Sequence, residues 1–124
     1  KHFHPALRDV KHELFKVILL DAKNIVIKEA TVSEGSLTLS IVHPREVFAL
    51  AVRESAAAVI FLHNHPSGDP TPSPEDRRLT DRLTTAGTLL GIRVLDHVII
   101  GDGRYVSFAD EGWLTEQRNE YEAP

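Results

Sequence analysis

Residues 57–78 read Ala57-Ala58-Val59-Ile60-Phe61-Leu62-His63-Asn64-His65-Pro66-Ser67-Gly68-Asp69-Pro70-Thr71-Pro72-Ser73-Pro74-Glu75-Asp76-Arg77-Arg78. The apolar run is short, β-branched and aromatic, the pattern of a buried strand. If strand geometry continues through His65, His63 and His65 project to one face, because side chains alternate with a period of two. Two imidazoles side by side at the end of a buried strand make half of a metal site. The loop that follows is stiffened by Pro66, Pro70, Pro72 and Pro74, with Gly68 free to turn. Ser73-Pro74-Glu75-Asp76 then has the form of a helix start: serine at the N-cap, proline at N1, an acid at N3. Asp76 is placed to supply a third ligand, although a cap alone would also account for Ser73 and Asp76.

His-x-His-Pro, six residues, then Ser-x-x-Asp resembles the signature of the JAMM (MPN-type) zinc metalloproteases. His63, His65, Ser73 and Asp76 match it position by position. The string His63–Pro70, together with Asp96-His97, is similar to the bacterial RadC branch of that family. The letters His-Asn-His do not indicate an HNH nuclease, whose named residues lie far apart in sequence.

The 124 residues suit one domain, 1–124, with 42% apolar and 26% charged residues, ordinary for a globular protein. Lacking an initiating methionine and starting in mid-pattern, the chain is expected to be the excised C-terminal part of a longer protein. No apolar run approaches the ~20 residues that span a bilayer, and no signal-peptide pattern opens the chain. With no cysteine there is neither a disulfide scaffold nor a thiolate metal site. These features lead us to expect a cytoplasmic protein with no membrane association. A net charge of −4 argues against nucleic acid held by this fragment through a broad basic surface. Oligomeric state is left open.

Outward from the central stretch, Pro5, Leu7, Val10 and Leu14 have helical spacing over residues 5–14. Phe15–Leu20, a turn at Asp21–Asn24, and Ile25–Ile27 read as a β-hairpin. Leu37, Leu39 and Ile41 alternate as a third strand. A helix opens at His43-Pro44, with Val47, Phe48, Ala51 and Val52 on one face. The helix from Pro74 stops near Gly91, its polar face (Arg77, Arg78, Asp81, Arg82) read as solvated surface. Val94–Ile100 and Tyr105–Phe108 flank Gly101-Asp102-Gly103 as a second hairpin, and residues 115–124 are expected to fray. The alternation predicts an α/β fold, a mixed sheet with helices packed on it. The family resemblance implies the same, an α/β/α sandwich of the cytidine-deaminase-like JAMM/MPN kind.

Two imidazoles and a carboxylate leave a net positive centre that acidifies a coordinated water. By ligand type alone, Fe(II) would also fit. The resemblance selects Zn2+, with His63, His65 and Asp76 as ligands. It also implies a general base, a glutamate leading into an apolar strand. Glu13 matches best, although Lys16 stands where the proteases usually carry glycine; Glu46 is the second choice and Glu54 the third. Ser73 is implied as the oxyanion donor. His97 is read as a structural histidine near the cleft, and Asn64 as a supporting residue at most. The expected activity is amide or isopeptide hydrolysis of a peptide or protein substrate. The competing readings are a non-catalytic MPN-type interaction module and a DNA-repair role with its DNA contacts outside this fragment.

Overall fold

Phe15, Val17 and Leu19 alternate along β1 (Leu14–Leu20) and are fully buried on one sheet face. The computed structural model describes residues 12–34, 42–115 and 117. After β1, Asp21 Oδ1 accepts from the backbone N–H groups of Lys23 (2.8 Å) and Ile25 (3.0 Å), and Asn24 takes a φ of 61°. This is the side-chain-to-backbone turn chemistry that favours Asp and Asn. The chain returns antiparallel as β2 (Val26–Glu34). β2 runs well past the Ile25–Ile27 strand that apolar residues suggest. Its second half is mostly polar or small and only partly buried, so backbone pairing with β1 is what reveals it.

The remaining elements are α1 (Pro44–Arg53), β3 (Ala58–Asn64), α2 (Pro74–Leu90), β4 (Arg93–Ile100), β5 (Tyr105–Ser107) and α3 (Phe108–Glu111). The sheet order is β2-β1-β3-β4-β5. β1 is antiparallel to β2 and β3, β3 is parallel to β4, and β4 is antiparallel to β5. The expected α/β fold with a mixed sheet is therefore what forms.

Val47, Phe48 and Ala51 of α1 and Leu79 and Leu83 of α2 pack with Phe15, Val17, Leu19, Val59 and Phe61 in the main core. The opposite face buries Leu62, Val98 and Ile100, with Leu14 and Ile18 against them. Most of the helix expected over 5–14 and the strand at Leu37, Leu39 and Ile41 lie outside the described residues. Residues 12–14 are not helical: Leu14 opens β1, drawn into the sheet by its pairing with β2 and by Asn64. Of the tail expected to fray, Gln117 is described, its side-chain amide bonding both the N–H and the C=O of Val94 at 2.6 Å.

The second hairpin forms as expected, but its return strand stops at Ser107. There Ser107 Oγ accepts from Asp110 N–H (3.1 Å) and caps α3, which ends at Gly112 with φ 74°. Arg77, read as solvated surface, stacks over the Trp113 ring at 3.9 Å and ties α2 to the end of α3.

Gly101 joins the end of β4 to the loop after His65. Asp102 N–H donates to Gly68 O at 2.8 Å, and a Cβ on Gly101 would overlap that carbonyl and the Pro70 ring. Because the obstacle includes backbone, Gly101→Ala is expected to lower stability by ~1–3 kcal/mol. Denaturant unfolding checks this; a midpoint equal to wild type would show that the loop yields freely.

Candidate metal centre

β1 and β3 are antiparallel neighbours with Phe15 opposite His63, so the start of β1 lies beside the end of β3. Alternation then places Glu13 on the same face as Phe15 and His63, the face covered by α2. His65 continues the ladder beyond β3, its N–H bonding Ile100 O at 2.9 Å. The two imidazoles accordingly share a face, with ring centroids 4.7 Å apart.

The four side chains converge. His63 Nε2 lies 3.0 Å from Glu13 Oε1 and 3.9 Å from Asp76 Oδ1, and His65 Nε2 lies 3.1 Å from Asp76 Oδ2. Glu13, His63 and His65 form a trio whose donor atoms all lie within 4.8 Å of one another. The helix cap also forms: Ser73 Oγ accepts from Asp76 N–H (3.0 Å), and Asp76 Oδ2 accepts from Ser73 N–H (2.7 Å). Asp76 is therefore both cap and site residue. Ser73 is exposed, and the capping bond leaves its hydroxyl proton uncommitted. Glu46 is exposed in the first turn of α1, and Glu54 stands 4.0 Å from Lys28, so neither belongs to this cluster. Lys16, by alternation, points away from Glu13 and pairs with Glu29 at 3.1 Å.

The tautomers follow from the outer hydrogen bonds. Thr80 spends its one hydroxyl proton on Asp76 O (2.9 Å), so its 2.6 Å contact with His97 Nδ1 is donated by the imidazole. His97 Nε2 is then an acceptor, and His63 Nδ1–H points at it over 3.4 Å. On the other histidine, His65 Nδ1–H donates to Asp69 O at 2.9 Å. Both Nδ1 protons are spent outward, which leaves both Nε2 lone pairs facing carboxylates. A lone pair 3.0 Å from a carboxylate oxygen calls for a proton or a cation between them. This donor set, two imidazole nitrogens with two carboxylates, fits a divalent ion such as zinc.

The electrostatics agree. Burial alone would raise the Asp76 carboxyl, but the His65 hydrogen bond, His63, the Ser73 N–H and the His65 charge outweigh it and hold its pKa at about 2. Burial would lower His65, yet its bonds to Asp76 and Asp69 and the charges of Asp76 and Glu13 raise it above 6.5. Burial, reinforced by His63, pushes His97 well below its ordinary value, so this ring stays neutral.

A profile of the RadC-like JAB domain matches residues 1–113. The chain belongs to the RadC-like JAB domain family. It is 66% identical over 112 residues to a UPF0758 protein of Trichlorobacter lovleyi, covering 90% of this chain and 49% of that one. It is 63% identical to a UPF0758 protein of Geobacter sulfurreducens over 91% of this chain and 49% of the relative. A Methanosarcina mazei UPF0758 protein is 59% identical over 90% of this chain and 48% of its own length. The RadC-like chain thus spans about half the length of the curated relatives it matches. No helix among its described residues is long and apolar enough to cross a membrane.

Sequence reasoning about this RadC-like domain missed two contributors. Thr80 supports His97 from one turn beyond Asp76, an i,i+4 spacing that could have been read on the helix. Asn64, expected to be marginal, is buried and bonds the backbone on both sides of Glu13: Leu14 N–H donates to its Oδ1 (2.6 Å), and its Nδ2 donates to His12 O (3.0 Å). No periodicity announces that contact, which spans about 50 residues of sequence.

Proposed function

We propose that this chain is a zinc-dependent hydrolase of the JAMM metallopeptidase type that cleaves an amide or isopeptide bond in a peptide or protein substrate. The observation that carries this reading is the convergence of His63 Nε2 and His65 Nε2 on one pocket, each about 3 Å from a carboxylate oxygen, while their Nδ1 atoms face other partners. His63, His65 and Asp76 would hold the ion. Asp76 is the better third ligand because its carboxylate is anchored by Ser73 N–H at a helix N-terminus and stays ionised at any working pH. Glu13, at the end of a strand and 15% exposed, is better suited to exchanging protons with substrate.

Bound zinc would polarise the scissile carbonyl and make a water acidic enough to lose a proton near neutral pH. Glu13 takes that proton as the water oxygen bonds to the carbonyl carbon, and it returns a proton to the nitrogen as the C–N bond breaks. The Ser73 hydroxyl donates to the oxygen on which charge develops. His97 and Thr80 hold the His63 ring in its tautomer, and Asp69 O does the same for His65.

Metal analysis tests the reading. Wild type is expected to bind about one zinc per chain, and His63→Ala to lose it, because a catalytic site depends on all three protein ligands. If the variant retained as much zinc as wild type, the ligand set and the hydrolase would both be wrong.

A further inference from the structure

We infer that Asn64 is a positioning residue for Glu13, its side-chain amide standing in for a strand backbone that β3 no longer provides. This rests on the reading of Glu13 as the group that acts beside the ion. Phe15 opposite His63 is the last pair of the β1–β3 ladder, and Asn64 is the last residue of β3. One residue further on, the Asn64 side chain turns to β1. It accepts from Leu14 N–H at 2.6 Å and donates to His12 O at 3.0 Å, the two bonds a neighbouring peptide group would make.

Those two backbone atoms flank Glu13, so the peptide planes on both sides of it are set by one buried amide. Asn64 is 1% exposed, and both its polar groups are satisfied by these bonds. No other side-chain type of this size offers a donor and an acceptor in the plane the geometry needs. Aspartate would supply only the acceptor, and leucine neither. The Glu13 carboxylate then reaches His63 Nε2 at 3.0 Å from a fixed base. Asn64 lies between the two metal-facing histidines in sequence, so one strand end presents the ligands on one side and holds the base by the other.

A double-mutant cycle on zinc affinity, read by competition with a chelating dye, separates positioning from general support. A carboxylate held beside the ion contributes to its affinity whether or not a substrate is known. Asn64→Ala is expected to weaken zinc binding about three- to ten-fold in the wild-type background, below or at the floor of the ~10–100-fold lost with a partner that bonds a ligand directly, because Asn64 acts through Glu13. In the Glu13→Gln background the same change should cost less than about two-fold. Equal losses in both backgrounds, or no loss in either, would overturn the inference. If Asn64→Ala does not fold, Asn64→Ser, which keeps one polar atom, is carried through the same cycle with the same criteria. Failure of the hydrolase reading itself shows separately, as zinc retained by His63→Ala.

Discussion

Glu13→Gln is expected to lower amide-bond turnover by ~10²–10⁴-fold while the protein still takes up about one zinc per chain. The reasoning is geometric first. Glu13 Oε1 is 3.0 Å from His63 Nε2, whereas Glu46 and Glu54, the other two candidates for the base, lie outside the cluster. Glutamine keeps the length and polarity of the side chain but cannot accept a proton at neutral pH. His63, His65 and Asp76 are untouched, so the ion is retained, with its affinity reduced only by the loss of a neighbouring negative charge. Zinc content from metal analysis, set beside turnover of a peptide library by the same preparation, reads both quantities. A variant that turns over as fast as wild type would remove Glu13 from the chemistry. A variant emptied of zinc would make Glu13 a ligand and send the search for the base elsewhere.

The second large effect is expected at Asp76. Asp76→Asn should weaken zinc binding by more than the ~10–100-fold typical of losing an outer partner, since it removes a ligand charge. It should also change how stability depends on pH. The Asp76 pKa is depressed from 3.8 to about 2, so its contribution is fully present above 3.8 and is lost as pH falls towards 2. The His65 pKa is raised, so its contribution is fully present below 6.5 and is lost as pH rises through the raised value. Protein stripped of metal by a chelator should therefore gain most from this pair between pH 3.8 and 6.5. In Asp76→Asn both flanks should flatten, with ~1–2 kcal/mol of stability lost within that window as the charged helix-start bonds weaken. Denaturant unfolding across pH measures this. An unchanged pH profile in the variant would mean that the pair is not coupled as the distances imply.

The sequence alone determined those features that depend on neighbours in the chain. Ser73, Pro74 and Asp76 specify a capping box because all its partners lie within four residues, and Gly91 ends α2 in the left-handed region at φ 71°. The His63/His65 spacing and the alternation of Phe15, Val17 and Leu19 likewise announced their faces, because a strand has only two. Glu13 was legible only by resemblance to a family; its placement needed β1 to lie antiparallel beside β3, which no local pattern states. His97 shows the limit most clearly. Val94 and His97 are three apart, which regular alternation would place on opposite faces, yet a register shift between Val59 and Ile60 against β4 brings both to the helix side. That irregularity puts His97 behind His63, where Thr80 can hold it. Asn64 gave no signal either, since a polar residue at a strand end reads as exposed until a second strand supplies a donor and an acceptor for its amide. Tertiary structure decided which groups meet across the sheet, because hydrogen bonds between distant segments are set by register and topology rather than by the residues on either side.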